Sequence, residues 1–404
     1  MQFSISSESK KEAVYVTGMG AVSALGIGVE AQLEGLKKEQ DAITIAELIP
    51  NQRKAAYAGE IKLSNSELAK LAGASDKLPR TTLLGLIAAK EAWKGQESPD
   101  QRTGLISAST VGGMDLSEHF YLEYKQSGAW DKVDTVKTHD IGTGADEIAK
   151  VLGIKGYLTS LSTACSSAAN AIMLGARLIQ SGALDRVLVG GMDALANFTL
   201  NGFSSLMIYS PEKVSPFDLN RKGVNLGEGA AFLVLESASA CEQHQKRKLG
   251  QVCGWGNAND AYHQTASSPE GTGAQLAMNK ALQVAGLGAS EITYVNAHGT
   301  GTENNDLSES TALLKVFEGK VPPFSSTKAY TGHTLATCGA LEAIYSLLMI
   351  QEKCLFPNLN FRKAISETKL EPITTTMKVD EVSYILSNSF GFGGNNSTII
   401  LGKA

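Results

Sequence analysis

The chain has 404 residues, of which 43% are hydrophobic and 19% charged, and its formal net charge is −5. This length allows a large core in one domain or in two intimate halves, and the acidic balance argues against general binding to nucleic acid or anionic membranes. Five cysteines without a CxxC pair fit a reducing cytosol and argue against disulfides or a zinc site. Residues 1–11 are polar and no apolar run could span a bilayer, so we expect a cytoplasmic protein.

Predicted strands and helices alternate along the chain, and glycines are frequent at the strand ends. The predicted strands are residues 14–22, 105–113, 186–191, 230–236, 292–297, 383–387 and 397–401. The predicted helices are residues 27–39, 82–93, 114–126, 146–152, 166–180, 272–285, 309–317 and 339–351. This alternation predicts α/β layers. The pattern starts again near residue 250, which predicts two similar halves, 1–250 and 251–404.

The segment Leu161–Ile172 predicts a strand-to-helix turn at Cys165. Small and β-favouring residues precede the cysteine, and a helical pattern rich in alanine follows it. A helix N-terminus carries partial positive charge and unpaired N–H groups, so we expect the thiol pKa to fall and its nucleophilicity to rise. Taken alone, Cys165 could equally be a small buried structural residue.

Two histidines occupy glycine-flanked ends of predicted elements. His298 stands in the run NAHGTGT, and His333 shares the loop SSTKAYTGH with Lys328. A third segment, Asn388–Asn395, is a glycine-rich turn whose bare amides could stabilise an oxyanion. Each segment alone could be structural. Together with Cys165, they indicate nucleophilic catalysis.

The motifs TAC, HGTGT, KAYTGH and GFGG, in this order, resemble those of the β-ketoacyl-acyl-carrier-protein synthases, the condensing enzymes of the thiolase superfamily. The resemblance runs from Val14 to Leu401. It implies a five-layered αβαβα fold of two similar halves, the first carrying the nucleophile and the second both histidines. The Cys–His–His set resembles the elongation enzymes, because the initiating synthases have asparagine for the second histidine. Thiolases have a second cysteine that Phe390–Asn395 lacks.

The resemblance also implies a role for each matching residue. Cys165 would accept an acyl chain from acyl carrier protein while the amides of Cys165 and Phe392 hold the oxyanion. His298 and His333 would bind the malonyl thioester and favour the enolate that forms as carbon dioxide leaves. The other implied roles are an ion pair of Lys328 with Glu309 that holds the histidine region, phosphopantetheine binding by Thr300 and Thr302, and acyl-pocket lining or gating by Val111, Phe203 and Phe392.

The resemblance further implies the partners of the chain. No metal or organic cofactor is required, since the prosthetic arm arrives on the carrier protein. Lys77 and Arg80 match the family's docking edge for that acidic carrier, although a solvated pair of charges is an equal interpretation. The family usually forms a homodimer or a dimer with a close paralogue, such as a chain-length factor.

Several segments depart from the fatty-acid elongation pattern and leave the pathway open. They are Glu303–Asn305, Leu335–Cys338 and Met207–Ser210. Residues 218–229 resemble the ketosynthases of aryl-polyene and flexirubin-type pathways. We therefore favour a polyene or polyketide ketosynthase over a housekeeping elongation enzyme. A non-catalytic chain-length-factor-type protein is less compatible, because such subunits lack the nucleophile.

Overall fold

The computed structural model of the protein describes residues 12–49, 56–95 and 102–404. Its strands are β1 (Val14–Ser23), β2 (Gly26–Ile27), β3 (Thr44–Ile45), β4 (Tyr57–Ala58), β5 (Thr103–Ala108), β6 (Tyr157–Leu161), β7 (Arg186–Asp193), β8 (Gly229–Ser237), β9 (Gly250–Asn259), β10 (Tyr294–Asn296), β11 (Phe324–Ser325), β12 (Cys354–Leu355), β13 (Met377–Lys378), β14 (Tyr384–Gly391) and β15 (Asn395–Gly402). Its α-helices are α1 (Val29–Lys37), α2 (Asn65–Ala72), α3 (Arg80–Trp93), α4 (Met114–Ser127), α5 (Gly142–Leu152), α6 (Ser167–Gln180), α7 (Asn197–Ser205), α8 (Ala238–Gln243), α9 (Thr272–Ala285), α10 (Glu303–Val316), α11 (Lys328–Thr331) and α12 (Cys338–Glu352).

The longer strands form a mixed sheet whose two parts repeat one topology. The strand order is β6-β5-β7-β8-β1 in the first part and β11-β10-β14-β15-β9 in the second. Numbered along the chain within each part, both orders read third, second, fourth, fifth, first. The directions agree as well, because in each part the second strand is parallel to the third and fourth, and the fifth is antiparallel to both neighbours. The chain is therefore built from two similar halves.

The two halves meet along β1 and β9. These strands pair antiparallel, with Val14 opposite Val252 and Val16 opposite Gly250. Residue 250, at the start of β9, stays our predicted boundary between the halves.

Helices lie between the two parts of the sheet and on its two outer faces. Helix α6 packs on β5 and β7 of the first half and on β9 and β15 of the second, and α12 likewise contacts strands of both halves. Every α12 side chain from Cys338 to Ile350 is buried, as expected for a central layer. Helix α3 covers β1 and β8, while α9 covers β9 and β15. This arrangement confirms the predicted αβαβα layering.

Glycines in β1 allow the outer helix to approach closely. A Cβ atom on Gly18 would lie 2.2 Å from the carbonyl oxygen of Ala92, and one on Gly20 would lie 2.0 Å from that of Ala88. These distances are far below van der Waals contact, so glycine is needed there for packing of α3 on the strand.

None of the helices in the described residues combines the length and the apolar character that crossing a membrane requires.

Candidate active site

Cys165 lies on a strained turn between β6 and α6, which confirms the predicted strand-to-helix turn. The preceding residue, Ala164, has a φ of +52°, in the left-handed region that non-glycine residues seldom adopt. Ser167 holds the turn, because its hydroxyl accepts from the amide of Thr163 at 2.8 Å and donates to the carbonyl of Ala164 at 2.5 Å. The thiol is thereby presented at the start of the central helix and is almost fully buried.

The expected fall of the thiol pKa is wrong for the resting enzyme. Burial raises the pKa of Cys165 to about 11, which outweighs the opposing effects of the Lys328 charge and of the backbone N–H groups of Phe392 and Cys165. The helix N-terminus therefore does not by itself produce a thiolate. At neutral pH the free enzyme carries a protonated thiol.

The fold brings Cys165 together with both predicted histidines. Each residue has a nitrogen or sulfur atom within 4.8 Å of those of the other two. The rings of His298 and His333 are nearly perpendicular, with centroids 5.4 Å apart. Cys165 comes from the first half of the chain and the histidines from the second, so the candidate site lies where the halves meet.

Hydrogen bonds to Nδ1 fix the tautomers of both histidines. Nδ1 of His333 accepts from the amide of Leu335 at 3.2 Å, and Nδ1 of His298 lies 3.3 Å from the ammonium of Lys328. Because both Nδ1 atoms accept, the protons of the neutral rings are assigned to Nε2. Burial, together with the nearby positive charge of Lys328, holds the pKa of each imidazole well below its usual value. The site thus contains two neutral rings with N–H donors for a substrate oxygen.

The same tautomers argue against a metal bound by this trio. A histidine that binds a metal through Nε2 must carry its proton on Nδ1 and usually donates it to an acceptor. Here Lys328 and the Leu335 amide present donors to Nδ1. The residues therefore fit hydrogen bonding to a substrate better than metal coordination.

Lys328 is buried beside His298, but its ionic partner is Glu342 and not the predicted Glu309. The ammonium lies 2.5 Å from a carboxylate oxygen of Glu342, and both side chains are almost completely buried. Burial raises the pKa of Glu342 to about 7, with Lys328 acting in the opposite direction.

Glu309 positions the histidine loop directly. Its carboxylate accepts from the backbone amides of His298 and Gly299, each at 2.9 Å, and from the side-chain amide of Asn388 at 3.0 Å. Glu309 therefore holds the backbone around His298. The predicted ion pair of Glu309 with Lys328 is wrong, because Lys328 pairs with Glu342.

Asp193 is a further buried acid at the site that the sequence analysis missed. Its carboxylate accepts from the hydroxyls of Ser109 and Thr110 and from the amide of Ala336, at 2.6–2.8 Å. It therefore ties the loop after β5 to the loop after His333. The signal that could have identified Asp193 is a charged residue at the end of the apolar strand β7. Glu342 was missed as well, and its signal is a lone acid within the buried part of an apolar helix.

Phe392 and Phe203 stand between two cavities that share Cys165. Their rings stack with centroids 5.6 Å apart. The larger cavity, of about 410 Å³, contains the two histidines, and Thr300 and Thr302 also line it. The smaller cavity, of about 180 Å³, has mostly apolar walls that include Val111. Thr300 and Thr302 thus line one cavity and Val111 the other, while Phe203, Phe392 and Cys165 line both.

The structure separates the two predicted docking residues. Lys77 is exposed. Arg80 is only 8% exposed and forms a bidentate pair with Glu228, through Nε at 2.8 Å and Nη2 at 2.7 Å. The prediction that Arg80 docks the carrier protein is therefore wrong, because its guanidinium is buried and paired with the carboxylate of Glu228.

The chain matches two consecutive domain families over most of its length. Residues 11–240 match the N-terminal domain of β-ketoacyl synthase, and residues 249–362 match its C-terminal domain. The 3-oxoacyl-[acyl-carrier-protein] synthase 2 of Staphylococcus aureus strain COL is 31% identical over 413 residues, covering 98% of this chain and 99% of that protein. A putative mitochondrial 3-oxoacyl-[acyl-carrier-protein] synthase of Schizosaccharomyces pombe is 30% identical, covering 96% and 99%.

Solved structures of ketosynthases superpose on nearly the whole chain. The Xenorhabdus doucetiae ketosynthase ApeO, in complex with its chain length factor ApeC, is 31% identical with a TM-score of 0.85, covering 98% of this chain and 100% of that one. A β-ketoacyl synthase from Burkholderia phymatum is 29% identical with a TM-score of 0.85, covering 97% and 100%. With its fold, its domain matches and its relatives in agreement, the chain belongs to the β-ketoacyl synthase family of acyl-transferring condensing enzymes.

Proposed function

We propose that Cys165, His298 and His333 carry out a decarboxylative Claisen condensation between a cysteine-bound acyl chain and malonyl-acyl carrier protein. The observation that carries the proposal is the trio itself, with two imidazole N–H donors and a thiol within 4.8 Å of one another. At this spacing the thiol can attack one thioester, and the two N–H groups can then bind the carbonyl oxygen of a second.

In the first half-reaction, Sγ of Cys165 attacks the carbonyl carbon of the acyl-carrier thioester. The negative charge that develops on the carbonyl oxygen is held by the amides of Cys165 and Phe392, whose N–H groups already approach Sγ in the free protein. The C–S bond to the carrier then breaks, and the thiol proton of Cys165 ends on the departing carrier thiol. The acyl chain occupies the apolar cavity beyond Phe203 and Phe392.

In the second half-reaction, the malonyl thioester enters the larger cavity and its carbonyl oxygen accepts from Nε2 of His298 and His333. The carboxylate leaves as carbon dioxide, and its bonding pair forms an enolate whose charge lies on that oxygen. Both rings are neutral donors, so the stabilisation grows as the charge appears. The enolate carbon attacks the acyl carbonyl and expels the Cys165 sulfur as a thiolate. The thiolate takes up a proton from water, because the original thiol proton left with the first carrier.

Lys328 and Glu342 serve this step by holding His298. The ammonium faces Nδ1 of His298 and keeps the ring from accepting a second proton, since another positive charge beside Lys328 is unfavourable. Thr300 and Thr302, whose hydroxyls lie 2.9 Å apart on the wall of the larger cavity, would bind the amide groups of the phosphopantetheine arm. The arm arrives covalently attached to the carrier, so the scheme uses no free cofactor.

A polyene or polyketide pathway, with a chain-length-factor-like paralogue as partner, is our proposed context. ApeO is in complex with such a partner. In this chain the apolar cavity beside Cys165 includes Phe198, which is 64% exposed, and Tyr157 and Leu158 on the edge strand β6 are also exposed. Such apolar surface favours coverage by a second subunit. Fatty-acid elongation is the second candidate, favoured by 31% identity to the Staphylococcus aureus synthase over nearly the full length.

Mass spectrometry of the loaded enzyme tests both the chemistry and the context. Incubation with acyl-carrier protein should place the acyl mass on Cys165, and loading elsewhere while product still forms would contradict the mechanism.

A competition between saturated and polyunsaturated acyl-carrier primers, with and without a co-expressed paralogue, tests the context. The heterodimer should prefer the conjugated chain. Faster turnover of saturated chains by a homodimer indifferent to the paralogue would favour elongation.

A further inference from the structure

Asn395 follows the glycine turn of Phe392 and connects both halves of the protein. Its side-chain oxygen lies 2.8 Å from Nδ2 of Asn257 on β9 and 3.3 Å from Nδ2 of Asn170 on α6. The hydroxyl of Ser166, the residue directly after Cys165, also lies 3.0 Å from this oxygen. The oxygen thereby joins the helix that follows the nucleophile to a strand of the second half.

Further hydrogen bonds connect the residues around Asn395. We call this group the amide cluster and define it as Thr163, Asn170, Asn257, Asn395 and Ser397. Asn170 donates to the hydroxyl of Thr163 at 2.9 Å, and Asn257 donates to that of Ser397 at 2.8 Å. Ser397 in turn donates to Oδ1 of Asn170 at 2.8 Å. These contacts connect the turn after Phe392 to α6 and β9, and such a connected network restricts the movement of the turn.

The oxyanion hole needs such rigidity because its two amides come from different halves. Donors act on an oxyanion at about 2.7–3.1 Å, and catalytic groups must be held to within roughly 0.5 Å. The turn and the nucleophile already touch, since a Cβ on Gly391 would lie 2.8 Å from the carbonyl oxygen of Thr163 and 3.2 Å from the amide of Cys165. A small shift of the turn would therefore move one amide relative to the other.

We propose that Asn395 is a positioning residue that sets the Phe392 amide relative to the Cys165 amide, and so governs acyl transfer to Cys165. The inference rests on the proposed role of these two amides. Asn395 acts through Asn170 and Asn257 and is not itself a catalytic residue. Its contacts do not include His298 or His333, so malonyl decarboxylation should be independent of it.

The test compares the two half-reactions in Asn395→Ala. Rapid-quench mass spectrometry with octanoyl-carrier protein should show acylation of Cys165 slowed about tenfold or more, through the maximal rate and not through KM. Carbon dioxide release from malonyl-carrier protein without a primer should stay within about twofold of the unmodified enzyme. Gln275→Ala, which removes a side-chain amide bonded to the carbonyl of Glu270 on the surface, is the control and should change neither rate.

A second variant makes the result independent of the folding of the first. Asn257→Ala removes one donor to Asn395 and should slow acylation in the same direction, and the double variant should be no slower than Asn395→Ala within about twofold. Normal acylation in a folded Asn395→Ala or Asn257→Ala protein, or equal loss in both half-reactions, would overturn the assignment. Failure of the unmodified enzyme to acylate Cys165 would overturn the proposed function and this inference with it.

Discussion

Lys328 and Glu342 form a buried ion pair between the start of α11 and the central helix α12, with the ammonium also facing Nδ1 of His298. The pair fixes a positive charge beside a neutral imidazole. It depends on a residue fourteen positions further along the chain, inside a helix that is otherwise almost entirely apolar.

The ion pair predicts strong coupling between these two residues. Lys328→Met or Glu342→Gln alone should each lower the free energy of unfolding by about 3–5 kcal/mol, because each removes one partner of a buried, hydrogen-bonded pair. A double-mutant cycle by denaturant unfolding should show that the double variant loses less than the sum. The cycle of Lys328→Met with Glu309→Gln is the control. A larger coupling in that cycle would restore Glu309 as the partner.

Separate variants should divide the two half-reactions. Cys165→Ala should abolish condensation and leave malonyl decarboxylation measurable, because the carbonyl donors are retained. His298→Ala or His333→Ala should reduce decarboxylation by roughly a hundredfold or more, the scale of one lost oxyanion donor. Carbon dioxide release from malonyl-carrier protein measures both effects. Unchanged release by His298→Ala would remove that histidine from the mechanism.

The pKa of the thiol predicts its alkylation profile. With a pKa of about 11, Cys165 is protonated at neutral pH, and each unit of pH increase below that value should raise its iodoacetamide reaction rate about tenfold. Peptide mass spectrometry should follow the Cys165 adduct between pH 7 and 9. A plateau within this range would show that the thiol is already ionised in the free enzyme.

The histidines predict loss of stability in acid. Their pKa values are lower in the folded protein than in the unfolded chain, so below the ordinary value of 6.5 the unfolded state binds more protons. The stability that the two histidines contribute is therefore fully present above that value and is lost as pH decreases, by up to about 1.4 kcal/mol per histidine per pH unit. Urea unfolding of His333→Gln at pH 7 and pH 5.5 should show a smaller loss than the unmodified protein, and an equal loss would contradict this account.

Lys77 and Arg80 should now behave differently. Charge reversal in Lys77→Glu should raise KM for carrier-bound substrate, most at low salt, and spare small thioester analogues, because the exposed ammonium can attract an acidic carrier. Arg80→Ala should instead destabilise the fold, since it leaves Glu228 buried without its partner. Equal effects of Lys77→Glu on both substrate types would remove Lys77 from docking.

The sequence was most informative where the chemistry depends on neighbours along the chain. The turn at Cys165 and the loops of His298 and His333 carry local signals, namely glycines and changes of periodicity. Arg80 gave no such signal, because its partner Glu228 is 148 residues away and only the fold shows that the guanidinium is buried. The thiol pKa was predicted in the wrong direction since the helix N-terminus can be seen in a sequence, but the depth of burial cannot.

Helix α10 shows the same limit at an element boundary. It begins at Glu303, six residues before the predicted start at Glu309. The predicted helix did not include the polar run ENND, yet acidic residues are favourable in the first turn of a helix. Asp306 is buried there and accepts from the amides of Gly301 and Phe217, contacts that depend on the tertiary fold.

Because the candidate site draws residues from both halves, its parts are synthesised at different times. The turn at Cys165 can form from early residues, but the second amide of the proposed oxyanion hole belongs to Phe392, 227 residues further along the chain. A growing chain therefore holds a nucleophile long before it holds a site that can use one. Acyl groups cannot be transferred through the complete oxyanion hole until Phe392 has been synthesised and the second half has closed on the first.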